Sequence, residues 1–169
     1  MAFFTDNDLE RLDWRLLQNG CINLYWRSKI LNEDVSWLEK HCYQINSMDC
    51  SGWDNLNVLH DAFAEELKFP DWYGKNLDAL NDCLSDLEIA MEGGRVIVLR
   101  GFDGVAAKIP EAAQGVMHIL AKNARRFLLF GKRLIVLVQS DDPKISFDPV
   151  GAQPVGWNPR ERLNKNRGL

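Results

Sequence analysis

The chain lacks the apolar runs and residue clusters that mark membrane, metal-binding and disulfide-rich proteins. No apolar run approaches the roughly 20 residues of a bilayer-spanning helix, and residues 1–12 carry acids where a signal peptide has a basic start. The four cysteines are scattered, without a Cys-x-x-Cys pair or a histidine at metal-ligand spacing. We therefore expect a cytoplasmic protein with reduced thiols, no metal, no cofactor and no membrane contact.

Signatures of catalysis are also missing. The sequence has no phosphate-binding loop, no cofactor fingerprint and no nucleophile next to a base. Residues 101–104 match the Gly-x-x-Gly loop that clamps nucleic acid in KH modules, but the match is a lone one and Asp103 within it would repel phosphate. These absences argue against an enzyme and against direct binding of nucleic acid.

The composition is that of an ordinary globular protein, but the charge is divided unevenly along the chain. A length of 169 residues with 46% hydrophobic residues suits one domain with additions, whose core needs no disulfide or metal ion for stability. Residues 54–92 hold ten acids against two lysines, whereas residues 93–139 hold eight lysines and arginines against two acids. A concentrated acidic segment attracts a basic partner, so we expect one.

The most informative segment covers residues 72–87. At about 100° per residue, its leucines fall on one side of a helix and its aspartates on the other. The leucines are Leu77, Leu80, Leu84 and Leu87, and the opposite side carries Asp78, Asp82 and Asp86 with Asn81 and Ser85 beside them. Like charges four residues apart repel by a few tenths of a kcal/mol, so helix stability does not explain the row. From periodicity alone, a merely solvated face remains open.

The flanking segments give weaker predictions. Alternating residues 12–16 and 22–26 around Asn19-Gly20 predict a β-hairpin. Asn32 is expected to cap a short helix, a strand should follow near residues 42–47, and Asp54 is expected to cap the next helix.

The second half of the chain reads as α/β. Apolar runs at residues 96–99 and 134–138, separated by a helix from Pro110 to Phe130, predict buried parallel strands joined by a right-handed crossover. Recurrent proline and glycine predict an extended tail anchored by Trp157. We therefore divide the chain into an N-terminal extension with the hairpin and helix (1–41), a central domain (42–139) and a Pro/Gly-rich tail (140–169).

The order strand, helix, Tyr-Gly turn, acidic helix, strand, helix, strand resembles the barstar family of intracellular ribonuclease inhibitors. The motif consists of Tyr73-Gly74, Asn-Leu-Asp-Ala-Leu at residues 76–80 and Asp-Cys-Leu at residues 82–84. The resemblance covers roughly residues 42–139. It implies an α/β fold with a small, parallel, three-stranded sheet and helices packed on it, to which the hairpin and the tail are added.

The resemblance also implies a function and a set of contact residues. In that family the acidic helix and the preceding loop enter the active-site cleft of a small ribonuclease and imitate the charge of RNA. Carried over to this chain, the implied partner-binding residues are Trp72, Asn76, Asp78, Asn81, Asp82 and Ser85, with Asp82 central. Asn81 stands where the best-known members carry tryptophan, and the last helix is basic here, with Arg125 and Arg126, where the family prototype has acids near the inhibitory surface. A different nuclease, or a cleft with its own acidic rim, would suit these departures.

The resemblance thus implies a bacterial immunity protein, or antitoxin, that blocks a basic ribonuclease or toxin nuclease domain. The alternative is a regulatory module that uses the same acidic helix against a partner that is not a nuclease. At single positions other roles stay open: Asn76 could cap the helix, Trp72 could pack into the core, and Gly74 could meet a backbone demand. The sequence leaves the oligomeric state undetermined.

Overall fold

The computed structural model describes residues 10–168. The helices are α1 (Leu12–Leu17), α2 (Ser28–Lys40), α3 (Leu56–Leu67), α4 (Leu77–Ser85), α5 (Asp103–Lys108), α6 (Pro110–Leu129) and α7 (Pro159–Arg162), and a 3₁₀ turn follows at Lys165–Arg167. The strands are β1 (Ile22–Tyr25), β2 (Tyr43–Asp49), β3 (Gly94–Arg100), β4 (Leu134–Gln139) and β5 (Gly156–Trp157). Within residues 10–168, no helix combines the length and the apolarity that a bilayer crossing requires.

A parallel sheet of five strands in the order β2-β3-β4-β1-β5 forms the centre of the fold. The two apolar runs become β3 and β4, which pair in parallel with Val96 opposite Ile135. Every residue of β4 is buried, as expected of a strand covered on both faces. The α/β fold and the parallel crossover are confirmed, but the sheet has five strands where three were expected.

Helices cover both faces of the sheet. The face that carries Ile97 and Leu99 packs against α3, α4, α5 and α6, whereas the face that carries Val96 and Val98 packs against α1 and α2. Successive residues of β3 therefore enter different cores, as the two-residue period of a strand requires. The acidic helix α4 and the helix α2 consequently lie on opposite faces of the sheet.

The prediction of an N-terminal β-hairpin is wrong. Residues 12–17 form α1, and β1 pairs in parallel with β4, where Ile22 lies opposite Val136. Leu12 and Leu16, four residues apart, suit one face of a helix as well as a strand. Asp13 between them is fully buried, and its carboxylate accepts hydrogen bonds of 2.8 Å from both Arg11 and Tyr43.

The N-termini of two helices also differ from the predicted ones. Helix α2 begins at Ser28, before the expected cap at Asn32, and α3 is capped by Asn55, whose side chain accepts from the backbone N–H of Asn57 and Val58. The helical spacing of the apolar residues in α3 is as predicted.

The tail is more than an extended segment. Strand β5 pairs with β1, and the backbone N–H of Asn158 donates to the carbonyl of Leu24 at 2.9 Å. The carboxylate of Glu161 is fully buried and accepts from the backbone N–H of Arg27 at 2.9 Å. Arg167 is also buried, with its guanidinium 3.6 Å from the ring centroid of Trp157. The tail therefore completes the sheet beside β1.

Candidate functional site

The loop before α4 is fastened to α3 by Tyr73. The backbone N–H of Tyr73 donates to the carbonyl of Pro70 at 2.9 Å, and its hydroxyl lies 2.5 Å from Nδ1 of the buried His60. The ring of Phe69 meets the Tyr73 ring edge-on, with centroids 4.9 Å apart. Burial lowers the pKa of His60 and raises the pKa of Tyr73, so both groups are held neutral. This anchor presents Trp72, whose side chain is 70% exposed, at the surface.

The turn into α4 depends on Lys75 and Asn76. Lys75 adopts a left-handed conformation with φ of 48°, and its Nζ lies 2.6 Å from a carboxylate oxygen of Asp61 on α3. The side-chain oxygen of Asn76 accepts from the backbone N–H of Ala79 at 2.8 Å, which makes Asn76 the N-cap. Gly74 has no positive φ, but a Cβ there would lie 3.3 Å from the side-chain nitrogen of Asn76.

Helix α4 is fixed by its apolar face. Leu80, Cys83 and Leu84 are buried, as the leucine spacing predicted. Leu77 packs against Gly115 of α6, where a Cβ would come within 2.8 Å of a Leu77 methyl carbon and would force a shift. The absence of a side chain at Gly115 thus allows α4 to lie close to α6. Because the apolar face of α4 is held against the core, its opposite face points to solvent.

That opposite face carries the row of carboxylates. Asp78, Asp82 and Asp86 are all exposed, and no ion pair within residues 10–168 involves any of them. Ser85 turns its hydroxyl back onto the helix, where it donates to the carbonyl of Asp82 at 2.8 Å. The surface is therefore acidic, and no ion pair with a cation of residues 10–168 neutralises it.

Asn81 faces α6, away from the row. Its side chain is half-buried, and its oxygen accepts from the side-chain nitrogen of Asn123 at 3.2 Å. The same nitrogen of Asn123 donates to the carbonyl of Ile119 at 3.0 Å. The predicted contact residue Asn81 is thus already committed to the helix pair through its oxygen, and its own amide N–H groups remain available.

Helix α4 stands as a ridge between two grooves. One groove, of about 440 Å³, runs between α4, α6 and residues 150–153, and both Asp78 and Asn81 line it. The other, of about 320 Å³, is bounded by Trp72 and Asp86. Asp82 lines neither groove and lies between them along the helix face. The structure thus places the predicted residues around one ridge, with Asp82 at its crest.

The sequence predicted only part of the far wall of the first groove: the resemblance places the basic last helix, with Arg125, near the contact surface, but it did not point to His118, Lys122 or the tail. That wall contains the basic side chains of His118, Lys122 and Arg125 from α6 and the turn at residues 150–153 from the tail. The reversal of charge between residues 54–92 and 93–139 was the available signal. It could not show that the two segments meet, because α4 and α6 are distant along the chain.

Comparison with known proteins identifies the family of the chain. A model of the family described as Barstar (barnase inhibitor) matches residues 43–139, more than half of the chain. A protein of Bacillus subtilis (strain 168), described as "Putative ribonuclease inhibitor YrdF", is 36% identical over 76 residues, which are 43% of this chain and 77% of that protein. The chain belongs to the barstar family.

Proposed function

We propose that this protein inhibits a ribonuclease by inserting the acidic face of α4 into the active-site cleft of the enzyme. Membership in a family of ribonuclease inhibitors supports the general role. The observation that carries the proposal is the exposed row of Asp78, Asp82 and Asp86 without a neutralising cation among the described residues. Because like charges four residues apart repel, the stability of the helix does not explain such a row.

The physical basis is mimicry of RNA phosphate. A ribonuclease holds phosphate with cationic side chains, and carboxylates at matching positions accept charge-assisted hydrogen bonds from the same groups. Because α4 is fixed by Leu80 and Leu84 on the core, little conformational freedom is lost when the complex forms. Binding to cations also relieves the mutual repulsion of the aspartates.

Each residue of the site has a proposed role. Asp82, at the crest of the ridge, pairs with the central cations of the cleft, and Asp78 pairs with a cation one helical turn away. The exposed Trp72 packs on the rim. The remaining contacts are neutral hydrogen bonds, made by Asn76, Asn81 and Ser85.

The target in this proposal is a toxin nuclease, against which the protein acts as an intracellular immunity protein or antitoxin. Stoichiometric blocking of the active site gives such protection without any catalysis by the inhibitor. The complementary charges speed the encounter, so that inhibition begins before the toxin cleaves much RNA.

The test is titration of the protein into RNA cleavage assays. The assayed enzymes are barnase, which the family description names, and ribonucleases encoded beside this gene. We expect the activity of the cognate enzyme to fall linearly to zero at one equivalent of inhibitor. Asp82→Ala should weaken binding at least tenfold, or about 1.4 kcal/mol. Its melting temperature should equal that of the parent, because the Asp82 side chain is exposed and outside every described ion pair.

A matched control is Glu39→Ala on α2, which removes an exposed carboxylate from the opposite face of the sheet and should leave inhibition unchanged. Equal affinity of Asp82→Ala and the parent would show that α4 is not the binding centre. If none of the ribonucleases is inhibited and the acidic helix instead captures a basic protein without nuclease activity, the regulatory alternative is correct.

A further inference from the structure

The groove beside α4 has walls of opposite charge. Asp78 belongs to its α4 wall, and Lys122 and Arg125 belong to its α6 wall. Between them, the hydrogen bond from Asn123 to Asn81 joins the two helices through neutral amides. The surface therefore changes sign within one groove, from the acidic ridge to a basic strip defined by His118, Lys122 and Arg125.

The cations of the basic strip form no ion pair with any residue that the structure describes. His118, Lys122 and Arg125 are exposed, and no ion pair among residues 10–168 includes Lys122 or Arg125. In particular, neither cation lies within 4.0 Å of Asp78 across the groove. The strip thus resembles the acidic row in one respect: its charges are presented to solvent without an internal partner.

A ribonuclease that accepts the ridge must also accommodate this strip. Because α4 and α6 line one groove, we expect the α6 strip to face the rim of a basic cleft that α4 enters. A basic rim would face Lys122 and Arg125 with like charge, which costs several kcal/mol at an interface. Carboxylates on the rim would supply ion pairs instead and would fix the orientation of the complex.

We propose that the groove between α4 and α6 receives an acidic segment from the rim of the ribonuclease active site, held by Lys122 and Arg125. The inference rests on the proposed function and adds to it a required property of the partner. The cognate enzyme has two charge signs at its cleft: cations in the floor for Asp82 and Asp78, and carboxylates on the rim for the basic strip.

The tail takes part in this surface. The turn from Val150 to Gln153 is closed by a backbone hydrogen bond of 2.9 Å from Val150 N–H to the Gln153 carbonyl, and Val150 is buried. The turn therefore presents Ala152 on a fixed wall of the groove. This places part of the tail within reach of the acidic rim, in addition to its structural role beside β1.

The experiment compares two double charge reversals in the inhibition assay with the cognate ribonuclease. Lys122→Glu/Arg125→Glu reverses the strip, and Lys29→Glu/Lys40→Glu makes the same change in net charge on α2, on the opposite face of the sheet. We expect the first to weaken inhibition at least tenfold and the second to change it less than threefold. At saturating concentration the first variant should still inhibit completely, because α4 is unaltered.

Asp82→Ala, measured in parallel, separates the two proposals. If Asp82→Ala weakens inhibition but the strip reversal binds like the parent, the groove inference is overturned and the proposed function stands. If Asp82→Ala binds like the parent, the proposed function itself fails. Tighter binding of the strip reversal would mean that the rim is basic, which also overturns the inference.

Three further measurements separate the proposed contact from other causes. Ala152→Trp fills the groove without changing charge, and it should weaken inhibition even if the double reversal fails to fold. Fluorescence anisotropy with labelled single-stranded RNA tests the competing occupant: binding by the parent protein that is lost on strip reversal would assign the groove to phosphate and overturn the inference. Restored binding between the reversed variant and a ribonuclease with a rim carboxylate changed to lysine would identify the pairing residues.

Discussion

At the scale of single residues, neighbouring positions on α4 differ in exposure and in hydrogen bonding. Asp82 is exposed without an ion pair among the described residues, whereas the adjacent Asn81 is half-buried and bonded to Asn123. The helical periodicity predicted the burial of Leu80 and Leu84 and the exposure of Asp82 because it depends only on local geometry. It could not predict the bond of Asn81, because Asn123 lies on another helix.

His60 should make the stability of the protein depend on pH. Burial lowers its pKa in the folded state; Lys75 acts in the same direction, whereas Asp61 opposes it. In the unfolded chain a histidine binds its proton at a pH of about 6.5. Between those two pKa values the unfolded state binds more protons, so the stability from neutral His60 is present above about pH 6.5 and is lost as the pH falls below it.

Urea unfolding at about pH 7.5 and about pH 5.5 measures this contribution. We expect the parent to lose more free energy of unfolding between the two values than His60→Gln, which cannot take up the proton. His118→Gln removes an exposed histidine and should behave like the parent. Equal losses for the parent and His60→Gln would show that burial does not keep the ring of His60 neutral.

At the scale of elements, local patterns predicted α3, α4, β3 and β4, and they failed at both ends of the chain. Strand β1 was assigned to a hairpin because Asn19-Gly20 is a strong local turn signal, but its partners β4 and β5 lie far along the sequence. Recurrent proline and glycine in the tail predict an extended segment with little burial. Its buried polar groups, including Glu161, are acceptable only because distant residues satisfy them.

Glu161 should therefore be a stabilising residue of the tail. Its buried carboxylate accepts from the backbone N–H of Arg27 at 2.9 Å and from the Arg27 guanidinium at 3.3 Å. Glu161→Ala leaves that N–H without its acceptor, and we expect a loss of roughly 1–3 kcal/mol in the free energy of unfolding. Chemical denaturation measures the loss, with the exposed Arg162→Ala as control. An unchanged midpoint for Glu161→Ala would contradict the docking of the tail beside β1.

At the scale of the whole molecule, the sheet separates the face that carries the proposed binding surface from the face covered by α1 and α2. Helices α1 and α2 cover one side, and α3 to α6 cover the side with the acidic ridge and the basic strip. The net charge of −4 conceals this division, since opposite charges are concentrated in different segments. Under the proposed function, we expect the encounter with a ribonuclease to be governed by the local field at α4 and not by the net charge.

That division predicts how association responds to salt. Salt reduces the range over which the acidic ridge attracts a basic cleft, because the screening length is about 10 Å at 0.1 M ionic strength and falls as salt is added. We expect the association rate with the cognate ribonuclease, measured by stopped-flow fluorescence, to fall at least tenfold from low salt to about 0.5 M, and the dissociation rate to change much less. Asp78→Asn/Asp82→Asn should flatten this dependence, because it removes the attracting charges and preserves the side-chain shape.

The control Glu10→Gln/Glu39→Gln removes the same number of exposed carboxylates from positions outside α4 and should retain the salt dependence of the parent. Since both variants have the same net charge, a difference between them isolates the position of the charge. If the two variants respond identically, net charge alone drives the encounter, and the acidic ridge has no special part in steering.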